Sequence, residues 1–308
     1  MAFGQGQASS EGGSIKRYIG VASVFVLGVN PLKEELEKLY GRTIENAPEY
    51  IGETEVNGNK VPQIRLDFIV KADPEKYLDG NNQPLELVSK VSLFVSKAYR
   101  YNKDNTKVQV IDKYGRTAWV TVEQAKAHEI PVYSNGPANI DKDYRPAYVG
   151  EEELIKFLIA YLNIPSCQKY VDGKWVMLDA DKLADCEASL EHIEQYFKGD
   201  VSELRTIVGY QPNNKVKVLF GVRNTDDNKQ YQTVYTRMFL KNGVTDYSKL
   251  DKDVKQTQEA GALSSSEFEC TELHEYVVSN TDFGATPTGG GNDLPFAPAG
   301  GETPWGMN

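Results

Sequence analysis

The chain has 308 residues, 40% of them hydrophobic and 25% charged, with a formal net charge of −10, the balance of a globular protein with a sizeable core. No apolar run reaches the roughly 18–20 residues of a membrane-spanning helix, and Met1–Ser14 has neither the charged nor the apolar region of a secretory leader. Three scattered cysteines argue against a disulfide framework and for reduced thiols in a cytoplasm. The charge is uneven: residues 1–150 hold 19 basic and 19 acidic groups, whereas residues 243–308 hold 3 and 11. An acidic total ordinarily argues against a nucleic-acid partner, but here most of it is confined to the C-terminal end.

In chain order, residues 1–14 read as a flexible start. Ile15–Asn30 is rich in Val, Ile and aromatics and predicts a strand. Pro31 suits a helix opening, Leu32, Leu36 and Leu39 recur at helical spacing, and Gly41 fits the stop. Val56-Asn-Gly-Asn59 is a turn. Val61–Lys71 alternates Ile64, Leu66, Phe68 and Val70, and Leu85–Tyr101 alternates Val91, Leu93 and Val95, so both predict strands with one buried face. Lys107–Val122 reads as a hairpin turning near Asp112–Gly115. Glu151–Leu162 is an amphipathic helix whose three leading acids suit the helix dipole. Asp185–Phe197 and Ser202–Val208 read as further helices, so residues 150–209 form a helical insertion. Lys215–Arg223 and Lys229–Leu240 close the body, 15–242, as a hairpin. Residues 243–280 are an acidic extension. The Gly/Pro/Thr-rich segment 281–308 lacks any hydrophobic period and is expected to be disordered. The order suggests an α+β, mainly β fold: an OB-like, partly open Greek-key barrel with an inserted helical segment.

Two stretches interleave cations with rings. Leu87–Val120 holds seven basic groups (Lys90, Lys97, Arg100, Lys103, Lys107, Lys113, Arg116) against two acids, with Tyr99, Tyr101 and Trp119 among them. Lys215–Lys241 holds six, including Lys215, Lys217, Arg223 and Arg237, with Tyr231 and Tyr235 nearby. Strand period puts Tyr231, Tyr235 and Arg237 on one face, outward if Val234 and Met238 face the core. Single-stranded nucleic acid is held by this combination, because cations track phosphates and flat rings stack on unpaired bases. Each such residue taken alone reads as ordinary strand surface; the repeated composition favours binding. Asp293, Leu294 and Phe296, with Trp305 beyond, are apolar-acidic anchors suited to docking a partner protein. Cys167, Cys186, His192 and Cys270 lack the close pairs of a structural zinc site, so no metal or other cofactor is expected. No nucleophile, phosphate-loop or dinucleotide motif is present among residues that include only three histidines, so no enzyme is expected.

With its basic-aromatic strands and its Asp-Leu-Pro-Phe296 segment, the chain resembles single-stranded DNA-binding proteins. Ile15–Asn30 with the following Pro-Leu-Lys-Glu-Glu-Leu, the stretch Gln211–Arg223 and Tyr231–Arg237 are similar to those of crAss-like gut bacteriophages. The resemblance implies an OB-type core, a role in phage DNA replication or recombination in the cytoplasm of a bacterial host, and a C-terminal tail that recruits replication or recombination proteins. In the bacterial class the terminal Phe carries the chain's carboxylate, whereas here twelve residues follow Phe296. The alternative is a phage structural or packaged virion protein without nucleic-acid binding.

Overall fold

The computed structural model describes residues 16–128, 140, 143–209, 214–225, 229–263 and 265–276. The start 1–14, the segment 281–308, and with it Asp293, Leu294, Phe296 and Trp305, lie outside the described residues.

Strand β1 (Tyr18–Val29) leads through helix α1 (Lys33–Tyr40) to the hairpin β2 (Ile51–Val56) and β3 (Asn59–Ala72), then β4 (Val88–Tyr99). Next come β5 (Lys107–Ile111), β6 (Thr117–Thr121), α2 (Val122–Ala127) and the two-residue strands β7 (Arg145–Pro146) and β8 (Tyr148–Val149). Helix α3 (Glu151–Tyr161) precedes the hairpin β9 (Gln168–Val171) and β10 (Lys174–Met177), followed by the short helices α4 (Ala180–Leu183), α5 (Ile193–Tyr196) and α6 (Ser202–Val208). The long pair β11 (Val216–Asn224) and β12 (Gln230–Lys241), helix α7 (Ser248–Glu259), β13 (Ser266–Phe268) and β14 (His274–Glu275) complete the described chain.

The main sheet is antiparallel and runs β12-β11-β1-β3-β4-β8. Strand β1 is shared along its length: Gly20–Val24 pairs with β11, and Val24–Val29 pairs with β3 past a bulge at Leu27. A strand that changes partner midway bends the sheet. The sheet curls into a half-barrel whose last long strand, β12, comes against β4. Ile64, Leu66, Phe68 and Val70 from β3 and Val91, Leu93 and Val95 from β4 all face inward, as their alternation predicts. Helix α3 fills the open side: Phe157 lies 4.5 Å from Phe68 and 5.0 Å from Phe239, ring centre to ring centre. The β2–β3 turn falls at Asn57 and Gly58, both left-handed at φ 51° and 78°, the geometry a two-residue hairpin loop requires.

Two further layers flank this core. Strands β6-β5-β7 form a small separate sheet whose inner face joins Val108, Val110, Ala118 and Val120 with Ile140 and Tyr144. On the outer face of β1, β11 and β12, helix α7 sets Leu250 and Val254 against Val21, Leu219 and Tyr235. Residues 243–276, expected as an acidic extension, therefore contribute packed structure. The expected Asp185–Phe197 helix is not one: a short 3-10 turn, an extended stretch and α5 replace it. Cys186, Ala188 and Leu190 are buried at every second residue, which is strand period rather than helix period. The segment 150–209, expected to be helical, also carries the β9–β10 hairpin. No described helix is long and apolar enough to cross a membrane.

Candidate nucleic-acid interface

The cations and rings singled out above fall on three separate surfaces. The first is the outer face of β1, β3 and β4. Inward alternation on β3 forces Arg65, Asp67, Ile69 and Lys71 outward, and on β4 it does the same for Lys90, Ser92 and Phe94. Arg65 stands directly opposite Phe94, which is 39% exposed, and its guanidinium lies 5.4 Å from the centre of the Tyr50 ring. Asp67 is buried and organises the face: it accepts from Ser92 Oγ at 2.7 Å and pairs with Arg65 at 3.2 Å and Lys90 at 3.3 Å. Burial holds the Lys90 ammonium below its ordinary pKa, Asp67 opposing the shift. At the other end Phe25 sits opposite Lys71, and Lys215 Nζ lies 4.6 Å above the Phe25 ring while pairing with Asp73 at 2.6 Å. Lys90 and Lys215 were named from sequence; Phe25, Arg65 and Lys71 were not. For Arg65 and Lys71 the period-2 pattern that located the core already contained them, on the face left over.

The second surface is the end of β4 with β5 and β6. Tyr99 stacks on its register partner Tyr148 at 5.4 Å and 20°. Arg100 lies 5.9 Å from the Trp119 ring. Its guanidinium is held by Glu152 at 2.9 Å and Gln109 at 3.2 Å, so the acids that open α3 engage a cation expected to meet phosphate. Burial pushes the Glu152 carboxyl up, and Lys156, Gln109 and Arg100 more than offset it, leaving it below the usual carboxylate range. Gln109 pairs with Trp119 and Lys107 with Thr121, so Lys107 and Trp119 share one face; Tyr101, bridged to Val108, takes the other. Tyr101, Lys103, Lys107 and Trp119 are exposed, and Lys103 and Lys107 make no ion pair among the described residues. Lys97 pairs with Glu194 at 3.0 Å. Lys113 pairs with Glu187 at 3.4 Å, and Arg116 closes the β5–β6 turn on Asp112 through Nε at 2.7 Å.

The third surface is under α7. Tyr235 is 2% exposed, with its hydroxyl donating to Asp253 at 2.5 Å and sharing a hydrogen bond with Thr257 at 2.9 Å. Lys217 is buried, 2.7 Å from the Tyr247 hydroxyl, and burial lowers its pKa. Arg237 donates to Thr257 at 3.3 Å. Tyr235 and Lys217 therefore cannot stack on a base or meet a phosphate, a correction with two causes. Helix α7 covers the face, and a register break between Lys217 and Leu219 turns Met238 to the same side as Tyr235 and Phe239 to the core. Arg223 and Tyr231 are register partners at the far end of the β11–β12 pair, where Arg223 is exposed.

Cys167 and Cys186 are buried, and no group of three His, Cys, Asp or Glu among the described residues is arranged to hold a metal ion. No protein-family model, curated protein or solved structure matches the chain.

Proposed function

We propose that the chain is a sequence-nonspecific single-stranded DNA-binding protein of OB type, with the strand lying across the outer face of β3 and β4. The order β12-β11-β1-β3-β4, with a helix between the third and fourth long strands and β12 against β4, supports the OB reading. An OB barrel offers oligonucleotides the outer face of its second and third strands and the loops beside them. The observation that carries the proposal is Phe94, exposed on that face opposite Arg65 and two pleat repeats along the strand from Lys90. Phe94 supplies a stacking plane, Arg65 and Lys90 supply charge, and Asp67 fixes both cations in place. The resemblance to crAss-like phage proteins supports a role in phage DNA replication or recombination in a bacterial host, with Asp293, Leu294, Phe296 and Trp305 docking partner proteins.

An anisotropy titration with single- and double-stranded oligonucleotides at two salt concentrations tests this. Single strands bind preferentially, and affinity falls with salt by about 0.7 log units per log unit of salt for each phosphate neutralised. Phe94→Ala weakens binding by about 5- to 100-fold, the loss of one stacked base. Equal affinity for duplex, or no salt-dependent binding, overturns the proposal; a virion protein without nucleic-acid contacts gives the latter.

A further inference from the structure

The β9–β10 hairpin exposes Tyr170, Val171, Trp175 and Val176, none of which the interface above uses. Its root is anchored: Met177 and Cys167 pack with Tyr114, Cys186 and Leu183, the Leu178 N–H donates to the Cys167 carbonyl at 2.9 Å, and Arg116 Nη1 reaches Met177 Sδ at 2.8 Å. Its tip turns on Asp172 and Gly173, left-handed at φ 50° and 76°. Between root and tip, Tyr170 and Trp175 are register partners whose rings meet edge to face at 5.4 Å. That pair stabilises the hairpin across its strands. It nevertheless leaves Tyr170 63% and Trp175 41% exposed. On the reverse face Lys174 pairs in register with Val171, and Lys169 with Val176. Both lysines are exposed and make no ion pair among the described residues, unlike Lys90, Lys97, Lys113 and Lys215.

We propose that this hairpin is a second contact for single-stranded nucleic acid, a base stacking on the Tyr170–Trp175 pair on one face while Lys169 and Lys174 on the reverse face neutralise phosphates of the strand as it passes around the hairpin. The inference rests on the single-stranded DNA reading and extends it to an element outside the barrel face. What favours a nucleic-acid strand over an apolar protein surface is the pairing of open rings with two ammonium groups that no carboxylate engages. A dry protein interface that enclosed the hairpin on both faces would have to desolvate both of those charges. A phosphate backbone is their complement.

Because the chain has three tryptophans, a Trp119→Phe, Trp305→Phe variant leaves Trp175 as the only one. Oligo(dT) quenches its emission saturably, and added salt reverses the quenching. Trp175→Ala weakens binding by about 5- to 100-fold, whereas Trp175→Phe, which keeps a ring, retains most of the affinity. Lys169→Ala with Lys174→Ala lowers the salt slope by about 1.4. If the wild-type chain binds but Trp175 emission and the Trp175→Ala affinity do not change, the hairpin contact is refuted and the barrel-face reading survives. If no variant and no salt condition gives binding, both fall. If Trp175→Ala changes the sedimentation of the protein and not its oligonucleotide affinity, the hairpin joins copies of the chain and the proposal is overturned.

Discussion

Tyr235 shows how far a single side chain can depart from its sequence pattern. Its place on the strand puts it outside the barrel, yet Leu250 and Val254 cover it and its hydroxyl is committed to Asp253 and Thr257. Burial, and then Asp253, push its pKa above the ordinary tyrosine value, so it remains a hydrogen-bond donor throughout the physiological range. Tyr235→Phe leaves oligonucleotide affinity unchanged and lowers unfolding stability by about 1–2 kcal/mol, because Asp253 and Thr257 lose a buried partner. Urea denaturation beside an anisotropy titration separates the two effects; weakened binding at unchanged stability would return Tyr235 to the interface. Arg100 teaches the same lesson in charge. The sequence shows a cation among rings, and only the fold brings Glu152, fifty-two positions later, to within 2.9 Å of it.

At the scale of elements, the strands and their inward residues were legible because alternation is local: Ile64, Leu66, Phe68 and Val70 are buried, as their spacing demands. Helix α1 and its left-handed Gly41, at φ 63°, were equally plain. The β9–β10 hairpin was missed because Gln168–Met177 is mostly exposed, so no buried alternation marks it beyond the Asp-Gly turn. Helix α7 was missed because charge dominates its composition, although Leu250, Val254 and Thr257 do recur at helical spacing and are its buried residues. Gly150 joins two elements at one point. It opens α3 in the left-handed region, at φ 86°, where a Cβ would run into the Phe94 carbonyl oxygen. Gly150→Ala therefore destabilises the fold by about 2 kcal/mol or more. Since the collision is with Phe94, it also weakens oligonucleotide binding, in contrast to Tyr235→Phe. A thermal melt at wild-type stability would show that the backbone yields there at no cost.

For the whole molecule, the mainly-β class was legible in the sequence and the surface was not. Two stretches alike in composition ended on different surfaces, since the curl of the sheet and the return of α7 depend on contacts distant in the chain. The charge asymmetry has its own consequence. Removing residues 277–308 deletes Asp282, Asp293 and Glu302 and no Lys or Arg, moving the formal charge from −10 to −7. Single-strand affinity at low salt then stays level or rises, and any gain shrinks as salt screens it. Lost affinity after truncation would mean that these residues themselves touch the strand.

The divided pairing of β1 also governs how the protein is made. Its first half hydrogen-bonds to a strand two hundred positions later, Gly20 opposite Phe220. At translation rates of about 5–20 residues per second, that partner emerges roughly 10–40 s after β1 has left the ribosome. Throughout the interval Ile19, Val21 and Val24, all fully enclosed in the finished fold, are an open apolar edge on a nascent chain, and a chaperone that shields this edge would raise the yield of native protein.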